Sequence, residues 1–277
     1  MILRYIIITI SAVCALASGA QTLTATYVQY ADSADRYIEA KDWVRAENMI
    51  IKALRHEPAN KSNFLLWSNL GIVREHMDNH EGAIEAYTIG LATAPKSTVL
   101  LTNRARSYLA VNQTKPALED LNAALSVDST LQWPRKIRGL LLAQTGNKKE
   151  AAKDLKRYTD EFGKDAAVCE TLGDLTASDG DIDESLSWYR DAYRQEPDPE
   201  LIGKMAITAY VFGRIEDVKD DINEAMKQYP RAGTLYLCRA LLNKSRYQTG
   251  AMESDLKTAK DLGANMEIFD RLTQKSK

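Results

Sequence analysis

His76 and His80 stand four residues apart with Asp78 between them, and two imidazoles beside a carboxylate are the donor types that hold a transition metal. On one continuous helix that spacing would put both rings on the same face. The pair Asp78-Asn79 is turn-forming, however, and it places His76 near the end of one helix and His80 in the turn, with no third ligand at hand. The expectation is a structural or solvent-exposed role for both, with a surface metal site as the alternative. Cys169 and Cys238 could supply a thiol nucleophile, but no histidine accompanies either, since all three histidines precede residue 81. The chain carries no Gly-rich phosphate loop, no HExxH, no GxSxG and no paired-cysteine motif. Its acids, among them Glu81, Glu85, Asp183, Glu184, Asp217, Asp220 and Asp221, are expected on solvated helix faces. The residues therefore predict binding and not catalysis, with no enzyme activity, no cofactor and no metal.

The elements that position these residues recur along the chain. Small residues Ala34, Gly71, Ala105, Gly139, Gly173, Ala206 and Ala240 follow one another at intervals of 37, 34, 34, 34, 33 and 34. A second series, Ala46, Ala83, Ala117, Ala151, Ser185, Val218 and Met252, keeps the register twelve residues later. Four residues beyond it, on the same helical face, stand Ile50, Tyr87, Leu121, Leu155, Tyr189, Ile222 and Leu256. The pattern predicts two helices per unit, with a small residue letting the helices approach and a large one filling the space between units. Turn formers Asp78-Asn79, Asn112-Gln113, Gly146-Asn147, Gly180-Asp181 and Gly213-Arg214 separate the two helices, and Pro58, Pro95, Pro197 and Pro230 end the second helix in four units.

With these residues the chain resembles the tetratricopeptide repeat (TPR) family, over roughly residues 27 to 264. Repeat 2 carries the pattern most fully, in Trp67, Leu70, Gly71, Ala83, Tyr87 and Pro95. Repeats 6 and 7 depart from it, because Val218 and Met252 replace the small residue, and Ser129 and Gly163 replace the terminal proline in repeats 3 and 4. The resemblance implies an all-α fold, a right-handed α-solenoid of about seven helix-turn-helix repeats over residues 21–264, with residues 265–277 as a capping helix or tail. In that tail Met266, Ile268, Phe269 and Leu272 are available to cover the last repeat. Cys169 and Cys238 fall in first helices two repeats apart, beyond the roughly 7 Å reach of a disulfide, and are expected unpaired and buried.

In this family the concave wall is lined by first helices and receives peptides or partner segments. By register the resemblance assigns that wall Asp35, Ile72, Arg106, Leu109, Trp133, Lys136, Leu140, Asp174, Ile207, Tyr210, Leu237 and Leu241, with Ile38, Ser68, Glu75, Thr102, Glu170 and Lys244 alongside. The C-terminal half is thus partly apolar, a candidate contact for an aromatic or aliphatic anchor unless neighbouring helices or the tail already bury it. Asn103 matches one place of the carboxylate clamp of chaperone-binding TPR domains, but Ser68, Ile72, Trp133 and Ile137 hold the neighbouring places, so that cationic grip is absent.

Arg4, the apolar run Tyr5 to Ala17 and Ser18-Gly19-Ala20 read as a secretory signal peptide over residues 1–20, cleaved after Ala20; the alternatives are an uncleaved anchor or lipidation at Cys14. Cleavage changes the charge from 36 minus 38 to 35 minus 38, or −3. So balanced a surface gives no reason to bind nucleic acid or anionic lipid, and membrane contact is expected to be indirect only. The reading that follows is an exported, non-catalytic adaptor, periplasmic in a cell of Gram-negative type, that holds a protein or peptide partner in its groove. The alternatives are a module recruiting a peptide or glycan for a separate enzyme, with Trp133 and Tyr210 as stacking residues, and self-association through the repeat ends.

Overall fold

A computed structural model describes residues 24–274. The expected signal peptide and the closing Lys275 to Lys277 lie outside the described residues. Fifteen α-helices and no strand are found among the described residues. The fold is all-α and of the solenoid class, and its contacts divide into two compact units, one ending at Leu141 and the other beginning at Leu142.

Unit 1 contains the hairpins α1 (Ala25–Glu39) with α2 (Trp43–His56), α3 (Asn63–Glu75) with α4 (His80–Thr93) and α5 (Thr98–Ala110) with α6 (Thr114–Val127), followed by most of α7 (Gln132–Gln144). Unit 2 contains α8 (Lys148–Phe162), the hairpin α9 (Ala166–Ser178) with α10 (Ile182–Gln195), α11 (Pro199–Val211), α12 (Lys219–Gln228), the hairpin α13 (Gly233–Ser245) with α14 (Thr249–Asp261), and α15 (Met266–Gln274).

Each pair of helices reverses through one residue in left-handed conformation: Lys41, Asp78, Asn112, Gly146, Gly180, Gly213 and Tyr247, all with φ between 56° and 85°. These residues follow one another at the same intervals as the small-residue series, so the turn belongs to the repeat as firmly as the core does. The residue after the reversal caps the next helix in several repeats: the Asp42, Asn79 and Asp181 side chains accept from the backbone N–H groups of Arg45, Gly82 and Glu184.

The core follows the two helix series. Ile50, Tyr87, Leu121, Leu155, Tyr189 and Ile222 are all at most 1% exposed. The absent side chain of Gly71 is what admits Tyr87, since a Cβ there would lie 2.2 Å from Tyr87 Cε1. Gly173 and Tyr189 repeat the device, with 2.6 Å to Cε1. Where alanine replaces glycine, as at Ala105 and Ala206, the partner is the smaller Leu121 or Ile222. In repeat 6, where Val218 stands at the small-residue place, the second helix begins as a 3-10 turn, Ile215–Val218, and becomes α-helical only from Lys219. Within that more tightly wound entry the branched Val218 is fully buried. Met252 is half-buried in the last repeat and α14 remains regular around it.

Candidate functional site

In unit 1 the first helices α5 and α7 enclose a pocket of about 240 Å³, lined by Thr98, Thr102, Asn103, Arg106, Trp133 and Pro134 among others and by no acidic side chain. Asn103 is 3% exposed, and its amide Nδ2 finds no hydrogen-bond acceptor. A buried donor left without an acceptor is uncommon in a folded chain, because its desolvation costs about 1–3 kcal/mol. Beside it the Arg106 guanidinium lies 4.6 Å from the centroid of the Trp133 ring. At the last residue of α3, the Glu75 carboxyl, 4% exposed, accepts from Ser107 Oγ of α5. Burial raises the Glu75 pKa to about 7; the Ser107 hydrogen bond, the Arg106 charge and Tyr87 pull only partly back.

In unit 2 a larger cavity, about 380 Å³, opens between α11, α13 and α15, with Ile207, Leu237, Leu241 and Phe269 as its apolar walls. Lys204 of α11 lines it and donates from Nζ to Glu170 Oε1 at 2.8 Å and Asp174 Oδ2 at 2.7 Å, both on α9. Burial acts to lower the Lys204 pKa, and the hydrogen bonds to Asp174 and Glu170 outweigh it, holding the amine above the ordinary lysine range. Asp174 also accepts from Tyr189 Oη at 2.6 Å, and burial first, then that carboxylate, pushes the phenol pKa upward.

The residues assigned by register divide between these places and the core. Arg106 and Trp133 meet in the unit 1 pocket, while Leu109 packs partly buried beside Trp133 against Ala105 and Leu121. Asp35, Lys136 and Leu140 are half-buried on α1 and α7. Ile72, 1% exposed, belongs to the core with Tyr87 and Leu100, so it does not stand on an open face. Asp174 and Ile207 flank the unit 2 cavity, and Tyr210 packs at the edge of the same apolar cluster. Leu237 and Leu241, 7% and 2% exposed, are buried in a cluster to which Phe269 of α15 contributes together with Leu256 of α14 and Ile207 of α11. Register reasoning did not single out Lys204, although it lies three residues before Ile207 and hence on the same helical face.

The remaining chemical candidates are spent on structure. His76 stacks on Trp43 at 4.2 Å between ring centroids with 5° between planes. Cys169 and Cys238 are free and buried, and burial pushes the Cys238 thiol up to about 12.

A tetratricopeptide repeat family model matches residues 138–199. The TPR repeat-containing protein MJ1428 of Methanocaldococcus jannaschii is 24% identical over 205 residues, 70% of this chain. The crystal structure of a tetratricopeptide repeat protein from Parabacteroides merdae is similar along nearly the whole length, covering 91% of this chain and 98% of that one at TM-score 0.59 and 26% identity. Residues 138–199 thus match the tetratricopeptide repeat, and the chain shares the fold of tetratricopeptide repeat proteins. It spans 35% of MJ1428, and 18% of a FAM10 family protein from Arabidopsis thaliana that is 36% identical over 77 residues. The TPR protein YrrB shares the fold at TM-score 0.59 and 18% identity, covering 67% of this chain and 95% of YrrB.

Proposed function

We propose that this protein is a non-catalytic adaptor that binds an extended segment of a partner protein against its first helices, and that it works in the cell envelope after export. The observation that carries the reading is the buried Asn103 amide facing the unit 1 pocket with an unused donor. The carbonyl of an extended peptide supplies the missing acceptor, and the Arg106–Trp133 pair offers a flat, amphipathic wall beside it. YrrB, of like fold, is described as having an unusual peptide-binding site, which agrees with this use of the scaffold. One face of Trp133 is covered by Arg106 and Tyr210 packs in an apolar cluster, so a peptide is favoured over a stacked glycan. Export rests on the run Tyr5 to Ala17 and the small residues Ser18 and Ala20.

The test is selection of peptides from a random twelve-residue display library on the immobilised protein, followed by titration of the enriched sequences. Asn103→Ala should weaken them by about 5- to 150-fold, the equivalent of roughly 1–3 kcal/mol, while the unfolding midpoint changes little. Affinities that ignore both Asn103→Ala and Trp133→Ala would refute the site. An alkaline phosphatase fusion that stays inactive in a Gram-negative host would refute export.

A further inference from the structure

The unit 2 cavity differs chemically from the unit 1 pocket. Its apolar walls are aliphatic and aromatic, and α15 closes one side of it with Phe269, which is 6% exposed. Gly203, which also lines it, contributes no side chain to fill it. At about 380 Å³ it lies at the low end of the roughly 300–1,000 Å³ of ligand pockets, room for a side chain or two and not for a large cofactor.

The charges around it are unequal. The single amine of Lys204 is shared between the carboxylates of Glu170 and Asp174, which leaves that trio one negative charge in excess. Glu200, also at the cavity, adds a second, since its partner is the neutral hydroxyl of Thr234. Both α9 carboxylates remain reachable, with Glu170 and Asp174 side chains 44% and 45% exposed. Lys244 lies over the Phe269 ring at 6.0 Å. An apolar hole with carboxylates along its α9 and α11 side selects an apolar group that carries positive charge next to it.

We propose that this cavity binds a peptide segment in which an aliphatic anchor residue stands beside lysine or arginine. The anchor enters between Ile207 and Leu241, and the cation meets Glu170, Asp174 and Glu200. The proposal shares with the proposed function only the idea of an extended partner segment, and the two sites fail separately.

The experiment is fluorescence anisotropy of three labelled twelve-residue peptides against the full chain, identical in a Ser/Gly frame except for a centre of Lys-Leu-Leu-Lys, Glu-Leu-Leu-Glu or Lys-Ser-Ser-Lys. The first should bind at least about tenfold more tightly than either of the others, and the gap to the acidic peptide should shrink with added salt. Ile207→Lys should abolish the preference. Glu170→Lys, at an exposed position that leaves the walls intact, should shift it towards the acidic peptide. Asn103→Ala should leave it unchanged, which separates this site from that of unit 1. Equal binding of all three peptides, a Lys-Ser-Ser-Lys peptide as tight as the first, or a preference that survives Ile207→Lys and Glu170→Lys would overturn the proposal. So would sedimentation showing a dimer that Ile207→Lys dissociates, because the cavity would then be taken by a second copy.

Discussion

Glycine inside a helix normally weakens it, so Gly71→Ala would ordinarily stabilise the chain by about 1 kcal/mol. Here the new Cβ would stand 2.2 Å from Tyr87 Cε1 and 2.4 Å from Cζ, and the ring is fully buried. The ring would have to retreat by about 1 Å to regain ordinary contact, into an interior that is close-packed. Overpacking of this kind costs about 1–3 kcal/mol, and the severity of the contact argues for the upper end. After the helix gain the net loss is about 2 kcal/mol, or about 4–8 °C in the unfolding midpoint for a chain of this size. Urea and thermal melts followed by far-UV circular dichroism measure it. Gly250→Ala is the internal control, because nothing lies within 4 Å of its would-be Cβ, and it should be neutral or stabilising by about 0.5 kcal/mol. The double change Gly71→Ala with Tyr87→Leu recreates the Ala105–Leu121 pairing of repeat 3, and should cost about 1–3 kcal/mol less than the sum of its parts. A Gly71→Ala protein as stable as its parent, or additive behaviour in the double variant, would show that the small residue does not exist to admit the ring.

Two further outcomes are expected. Glu75 titrates near 7 in the fold against 4.5 ordinarily, so below pH 4.5 it is protonated in both states and its neutral form is matched to its burial. As pH rises from about 4.5 to 7 the unfolded chain releases the proton first, and stability falls by about 3 kcal/mol before levelling off. Glu75→Gln should remove that fall, so the variant gains on the parent between pH 5 and pH 8 in urea melts; parallel profiles would refute the assignment. Tyr247→Gly should stabilise by about 0.5–1 kcal/mol, because Tyr247 holds φ 58° at 93% exposure and gives up strain without giving up packing. A lowered melting midpoint would mean the ring makes a contact that matters.

The fold was legible because the repeat is written in volumes. The Ala/Gly series and its large partner sixteen residues on appear as spacing alone, and the structure buries pairs such as Gly71 with Tyr87 and Gly173 with Tyr189. Asp78, Asn112, Gly146, Gly180 and Gly213 also announced their turns, since these residue types tolerate positive φ. Lys41 and Tyr247 did not, because the surrounding hairpin imposes the left-handed backbone on residues with no local preference for it. The site was legible only in outline. Of the residues named by register, Arg106, Trp133 and Ile207 line pockets and Asp174 bonds the lining Lys204, whereas Ile72 is taken by the core. Which side chains cover Leu237 and Leu241 depended on the docking of α15, a tertiary event that periodicity does not report.

Two neighbouring register positions explain why the fold is written in the repeat and a partner is not. The core place held by Ala34, Gly71, Ala105, Gly173, Ala206 and Ala240 never exceeds alanine, because a close helix approach depends on it. The series one residue further on, Asp35, Ile72, Arg106, Leu140, Asp174, Ile207 and Leu241, runs through aliphatic, cationic and acidic types, and its burial differs as widely, from the core residue Ile72 to the pocket-lining Arg106. Chemistry is therefore free to change from repeat to repeat on an unchanging frame. In unit 1 it yields a donor-rich pocket beside a cation–aromatic pair, and in unit 2 an apolar cavity under an excess of carboxylates. Under the two proposals a segment suited to one pocket is poorly matched to the other, so each proposal stands on its own titration.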